Sequence, residues 1–291
     1  MWAALNWKDY TLLDCSDGQR LENWGGFTLI RPDPQVIWKD RRKHPAWKKA
    51  DASYTRSHTG GGSWSESALP AEWKVGYGEL TFSVKTMGFK HTGLFPEQAV
   101  NWDWFSSLIR SAGRPVRVLN LFAYTGGATL AAAKAGAEVT HVDAAKGMVL
   151  RARENAALSG LSDAKIHYVT EDCKKFVERE LRRGNRYDAV IMDPPSYGRG
   201  PKGEMWKLEE NIDELVRLTV SVLTDKPLFF LINSYTTGLS PSAVAYILRE
   251  EMLPRFGGTV SADEIGLPVL QTGGILPCGS SARWENQKES K

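Results

Sequence analysis

Asp193-Pro194-Pro195-Ser196-Tyr197-Gly198 follows directly on an apolar run at residues 187–192. Two successive prolines fix the backbone and remove two N–H donors. The turn therefore offers carbonyls, a carboxylate and an aromatic ring. That set suits a planar base: the Tyr197 ring stacks on it, while Asp193 and the Pro194 carbonyl accept its donor protons. The plainer alternative is a rigid turn that ends a strand. Upstream, Tyr124-Thr125-Gly126-Gly127 follows another apolar run. Glycines there let the backbone approach a ligand without a Cβ clash, although Gly-Gly alone also makes an ordinary strand–helix turn.

Two carboxylates add to this pattern. Asp143, followed by Ala144, closes the run at 139–143, and Asp172, followed by Cys173, closes the run at 166–170. At the end of a second strand a carboxylate can accept from both hydroxyls of a ribose. At the end of a third it can accept from an adenine amino group. Either aspartate taken singly reads equally well as a helix N-cap, Asp172 above all. A nicotinamide site is the rival reading, but Gly126 and Gly127 are adjacent and no third glycine follows in the Gly-x-Gly-x-x-Gly register.

Elements that could bring these groups together are legible from residue 115 on. Strand patterns at 116–122, 139–143, 166–170, 187–192 and 228–233 alternate with helical patterns at 128–135, 146–159, 174–183, 209–223 and 242–253. Such alternation predicts a parallel sheet covered by helices on both faces. Extended runs at 259–269 and 275–284, separated by Thr272-Gly273-Gly274, predict a terminal antiparallel hairpin. In such sheets ligands bind at the carboxyl ends of the strands, where every residue named above falls.

The N-terminal third differs. Nine of the eleven tryptophans lie within residues 1–104, with glycines and prolines between short β-like runs at 27–31, 36–39 and 80–85. Residues 1–90 read as a small, mostly β domain, residues 57–67 as a mobile loop, residues 91–285 as the α/β domain and 286–291 as a frayed tail. The net charge of +3 resides entirely in residues 1–92, which hold 13 Lys/Arg against 10 Asp/Glu. Within them, residues 38–49 combine six basic side chains with two tryptophans. Lys39, Arg41, Arg42 and Lys43 could track phosphates while Trp47 stacks on bases; a solvated linker with anchored tryptophans is an equal alternative.

Three distant cysteines, Cys15, Cys173 and Cys278, with no Cys-x-x-Cys pair, argue against disulfides or zinc and fit a reduced cytoplasmic setting. The histidines at 44, 58, 91, 141 and 167 show no ligand spacing. The longest apolar run falls far short of a membrane span.

With these residues in view, the chain resembles class I S-adenosylmethionine-dependent methyltransferases. More narrowly, it is similar to the bacterial family of large-subunit ribosomal RNA cytosine-5 and guanine-N7 methyltransferases. The resemblance rests on residues 120–127, on Val142-Asp143, on Glu171-Asp172-Cys173 and on residues 193–197. It implies a Rossmann-like seven-stranded sheet that binds S-adenosylmethionine through Tyr124, Thr125, Gly126, Gly127, Asp143, Ala144, Asp172, Cys173 and Asp193, without a metal. Residues 93–98, ending at Gln98, resemble the segment that lies over the cofactor there. Asn120 resembles the guanine-N7 branch. The cysteine of the cytosine-5 members is absent after the fifth strand, where this chain reads Asn233-Ser234-Tyr235-Thr236-Thr237. The expected acceptor is therefore a base in RNA, ribosomal RNA first, methylated directly at nitrogen or oxygen, with Asp193, Pro194 and Tyr197 holding it. A small-molecule or protein methyltransferase, and a cofactor-binding module without catalysis, remain open, as do a monomer and a homodimer.

Overall fold

The computed structural model describes residues 1–57, 61–199 and 205–287. They form two compact units. The first comprises Met1–Val100, Ala157–Ser159 and Ile265–Cys278. The second comprises Asn101–Ala156, Gly160–Glu264 and the described residues from Gly279 on.

The first unit is β-rich, as expected. Its strands are β1 (Trp2–Ala3), β2 (Tyr10–Ser16), β3 (Gln19–Trp24), β4 (Phe27–Pro32), β5 (Ala52–Arg56), β6 (Gly62–Trp64), β7 (Trp73–Tyr77) and β8 (Leu80–Val84). Strands β2 to β6 make a five-stranded sheet in sequence order, and β7 and β8 form a separate hairpin. Gly25 shows why glycine sits between β3 and β4. Its φ is +58°, and a Cβ would lie 2.7 Å from the Lys74 carbonyl. The aromatic residues are mostly core: Trp24 is fully buried, packs edge-on against Tyr10 at 4.7 Å, and accepts through its carbonyl from the Trp73 indole.

Three expectations for this unit change. Residues 36–39 are not a strand. The Val36 and Trp38 carbonyls instead accept from Gly18 and Asp17 N–H at the β2–β3 turn, and the prolines at 32 and 34 deny the segment ladder donors. The stretch expected to be a loop contains β6, which pairs antiparallel with β5 because Trp64 and Tyr54 pack at 5.5 Å across the hairpin. Residues 58–60 of that stretch and residues 288–291 of the expected tail lie outside the described residues. The unit also runs to Val100 rather than 90. The Trp7 indole donates to the Pro96 carbonyl and ties in the 3-10 turn Pro96–Gln98.

The second unit is the alternating α/β region. It contains α1 (Ala99–Ser111, from its third residue), β9 (Arg117–Leu121), α2 (Gly127–Lys134), β10 (Glu138–Asp143), α3 (Lys146–Leu158, as far as Ala156), β11 (Ile166–Thr170), α4 (Cys173–Arg183) and β12 (Ala189–Met192). Then come β13 (Tyr197–Arg199), β14 (Met205–Lys207), α5 (Leu208–Val220), β15 (Phe229–Ser234), α6 (Pro241–Phe256), β16 (Thr259–Pro268, as far as Glu264) and β17 (Ile275–Glu285, from Gly279). The sheet order β16-β17-β15-β12-β9-β10-β11 gives the seven expected strands. Strands β15, β12, β9, β10 and β11 are parallel, and β17 runs antiparallel to β15. An eighth strand, β1, pairs with Ile265 and Gly266 of β16 within the first unit; two residues are too short to carry a readable pattern.

The central strands are buried on both faces, which explains their continuous apolar runs. Helix α1 has no clear pattern in the sequence, yet it buries Trp102, Phe105 and Ile109, with Phe105 stacked on Phe229 at 5.7 Å. The antiparallel pair β13–β14 is likewise unannounced by the sequence.

Candidate active site

Parallel pairing places the carboxyl ends of β11, β10, β9 and β12 side by side. The loop after β9 is the most strained backbone in the second unit. Phe122, Tyr124 and Gly126 all have positive φ, at 56°, 49° and 90°. Bulky residues seldom adopt this region, and clusters of such residues mark binding loops. Tertiary bonds hold the conformation. Phe122 N–H donates to Cys173 Sγ at 3.2 Å, Ala123 N–H to the Val142 carbonyl, and Asn155 donates to the buried Thr125 carbonyl at 2.9 Å.

Gly126 caps α2 with no side-chain bond, so the N-terminal amides of that helix have no capping side chain competing for them. Such an N-terminus suits a carboxylate or phosphate. Gly127 is needed for packing: a Cβ would come within 2.6 Å of the Trp102 ring.

Asp143 lies at the centre of the arrangement. One oxygen accepts from Tyr124 N–H and the other from Ala145 N–H, both at 2.8 Å. Each oxygen retains a lone pair, so the carboxylate can still accept two ribose hydroxyls. Burial raises its pKa above the ordinary aspartate value, against the two amide bonds that lower it. Ala144, beside it, is exposed.

Asp172 is exposed and caps α4, accepting from Lys175 N–H at 3.0 Å. This is the plain cap that the sequence also allowed. Its second oxygen carries no hydrogen bond among the described residues. Cys173 is buried against β9 and β10, with its sulfur engaged by Phe122 N–H. Only its backbone is suited to meet a ligand. Asn120 is internal as well, donating to Thr129, which in turn bonds His141 Nδ1 at 2.8 Å. Burial holds the His141 pKa down at about 3, so this cluster is a neutral core network.

The Asp193 segment leaves β12 with its amide bonded to the Leu121 carbonyl. Three acceptors of the turn, on Pro195 and Ser196, are taken. The Trp206 indole donates to the Pro195 carbonyl at 2.6 Å, Leu208 N–H to the Ser196 carbonyl, and the Thr236 hydroxyl to Ser196 Oγ at 2.8 Å. Pro194 is buried, and no hydrogen bond reaches its carbonyl among the described residues. Tyr197 is 53% exposed and its hydroxyl meets Met205 Sδ at 3.4 Å. Sequence reasoning misses Trp206 and Thr236. A signal for Trp206 exists: it is one of only two tryptophans beyond residue 104.

The family model for S-adenosylmethionine-dependent methyltransferases matches residues 53–240. This chain belongs to that family. An S-adenosylmethionine-dependent methyltransferase from Agrobacterium tumefaciens shares its fold with a TM-score of 0.90 and 36% identity, covering 96% of this chain and 91% of that one. The Ribosomal RNA large subunit methyltransferase K/L of Shewanella frigidimarina is 31% identical over 145 residues, covering 49% of this chain. The chain spans only 20% of that relative's length. The cofactor is thus S-adenosylmethionine. The N-terminal amides of α2 are able to donate to a carboxylate, and Asp143, at the end of β10, is able to accept from ribose hydroxyls.

The remaining expected residues belong to the first unit. Gln98 is buried at the end of its 3-10 turn. In the basic segment, Trp47 donates to Asp14 at 2.9 Å, and the Arg42 guanidinium lies over the Trp47 ring at 4.5 Å. Arg42 is also paired with Asp17 at 3.0 Å and donates to Gln19. The ring and this cation are therefore already engaged with each other, while Lys39, Arg41 and Lys43 are exposed. No helix among the described residues is long and apolar enough to cross a membrane.

Proposed function

We propose that this methyltransferase acts on a base in RNA, ribosomal RNA in the first instance, and transfers the methyl group directly to it without a cysteine adduct. The observation that carries this reading is the turn after β12. Trp206, Leu208 and Thr236 consume the Pro195 and Ser196 acceptors and leave the Pro194 carbonyl for a base donor. Similarity to the Ribosomal RNA large subunit methyltransferase K/L of Shewanella supports ribosomal RNA as the acceptor class.

When bound, S-adenosylmethionine supplies the methyl group and its own leaving group. This chain's part is positioning, which can supply about 7–11 kcal/mol of a barrier. Asp193 and the Pro194 carbonyl orient the acceptor through its N–H groups, Tyr197 stacks on its face, and Asp143 with Tyr124, Thr125, Gly126 and Gly127 fixes the cofactor. Asp172 and Cys173 contribute at the adenine end.

The thiols support the absence of an adduct. A pyrimidine carbon-5 reaction needs a thiolate, and burial raises all three cysteines: Cys15 to about 11, and Cys173 and Cys278 likewise well above an ordinary thiol. None is poised as a nucleophile at neutral pH.

The test uses purified chain, labelled S-adenosylmethionine and ribosomal RNA from a strain lacking it. Asp193→Ala should lose turnover while retaining S-adenosylhomocysteine affinity in calorimetry. Methyl transfer only to a protein or small molecule would overturn the RNA reading. Undiminished turnover in Asp193→Ala would remove the catalytic turn from it.

A further inference from the structure

The first unit carries a second aromatic and basic feature, separate from residues 38–49. The chain turns back between β8 and residue 92: Lys85 N–H donates to the Thr92 carbonyl and Met87 N–H to the His91 carbonyl. At the tip of this turn Phe89 is 68% exposed. No aromatic ring packs on it among the described residues. An isolated exposed ring is ordinary, but the scaffold under this one is not.

The Trp64 indole donates to both the Met87 and Phe89 carbonyls, at 2.8 and 3.3 Å. Trp64 is itself braced by Tyr54. From the other side, Arg31 gives one nitrogen to the Lys90 carbonyl at 3.0 Å, while two others bond Glu22 at 2.6 and 2.8 Å. Arg31 and Glu22 are fully buried. Lys90 completes the clamp by donating to the Pro32 carbonyl. Four bonds thus fix a short turn whose tip presents a bare phenyl ring to solvent. Rigidity of this kind removes the ordering cost of binding before the partner arrives.

Two cations share this scaffold. In the β5–β6 register, Arg56 pairs with Gly62 and Tyr54 with Trp64, so Arg56 lies on the Tyr54–Trp64 face of the hairpin. It is exposed and forms no ion pair among the described residues. Lys90 follows Phe89 directly. Burial, then repulsion from Arg20, Arg31 and Arg56 against the pull of Asp33, lowers the Lys90 pKa to about 8. Arg56 and Lys90 thus share one positive field that an anion would relieve.

We infer that the turn at residues 87–90 is a docking site for single-stranded RNA, in which an unpaired base stacks on Phe89 while Arg56 and Lys90 bind the adjoining phosphates. The inference rests on the RNA reading and adds a docking place to it. Ring and cations together match the alternation of bases and phosphates in a single strand; in a duplex the base faces are covered and the ring has nothing to stack on.

The experiment is fluorescence anisotropy of the full chain with a labelled mixed-sequence RNA, single-stranded and annealed to its complement, at several salt concentrations. Phe89→Ala should weaken single-strand binding roughly 5- to 150-fold with the salt slope unchanged. Phe89→Trp should bind like the parent. Arg56→Gln should flatten the slope by about 0.7 log units. S-adenosylhomocysteine affinity should be the same in every variant. Unchanged single-strand binding by Phe89→Ala, beside a parent that binds RNA, overturns this site and leaves the RNA reading standing. An equal weakening on duplex, or failure of Phe89→Trp, also overturns it. A parent that binds no RNA overturns both, and would direct the turn to a protein partner.

Discussion

Asp143 accepts two backbone amides before any ligand arrives, and burial still raises its pKa. Its ionised form is the one that can accept both ribose hydroxyls. A raised pKa means that protonation begins at a higher pH than for an ordinary aspartate, near 4. S-adenosylhomocysteine affinity should therefore fall on acidification, beginning at a higher pH than the titration of an ordinary aspartate would give. Asp143→Asn should bind more weakly at neutral pH, by roughly 1.5–3 kcal/mol for removal of a charge-assisted bond, and should show a flatter acid profile. Calorimetry across pH checks both. An identical slope in parent and variant would assign the titration to another group. Asp172, by contrast, is one side chain able to serve two ends: one oxygen caps α4, and the other accepts no bond among the described residues.

At the scale of elements, the β13–β14 pair gives the Asp193 turn its shape. Tyr197 begins the first strand and Trp206 occupies the second, where its indole reaches back 11 residues to the Pro195 carbonyl. Trp206 also lies 6.0 Å from Phe122, the first positive-φ residue of the cofactor loop. Its contacts on both loops make it a candidate positioning residue. Trp206→Phe keeps an aromatic ring but removes the donor. It should lower kcat by about 10- to 100-fold, as a misplaced acceptor does, with S-adenosylhomocysteine affinity unchanged. Single-turnover rates beside calorimetry make the comparison. A defect confined to cofactor binding would mean that the tryptophan supports the Phe122 loop instead.

For the whole molecule, the relevant fact is where charge is free. The net +3 lies in residues 1–92, yet the cations there are not equivalent. Arg20 and Arg31 neutralise buried Glu22, whose own pKa, raised by burial, is brought down to about 2 by those two charges. Arg42 is held by Asp17, Gln19 and the Trp47 ring. Exposed Lys39, Arg41 and Lys43 remain for phosphates. Replacing Arg41 and Lys43 with Ala should flatten the salt dependence of RNA binding by up to about 0.7–0.9 log units for each phosphate no longer neutralised. Arg42→Ala alone should leave that slope nearly unchanged. Equal slopes for all three proteins would reduce the segment to a solvated linker.

What the sequence determined by itself was the second unit's plan. Short apolar runs alternating with amphipathic helices require a covered parallel sheet, and strands buried on both faces cannot disguise their pattern. The residues at the carboxyl ends of those strands followed from the same logic, because adjacent parallel strands end on one edge. Only tertiary structure decided what each side chain is free to do. Cys173 lies in the cofactor motif, yet its sulfur is consumed by Phe122. Trp47 and Arg42 have the composition of a stacking ring and a phosphate ligand, yet they bind each other. The bonds of Trp206 and Thr236 are silent in the sequence because their partners, Pro195 and Ser196, lie 11 and 40 residues away, even though the isolated Trp206 stands out by its type. Backbone periodicity is a local property that a linear reading can follow. The satisfaction of a particular donor or acceptor depends on which distant group arrives beside it, and that is settled only when the chain has folded.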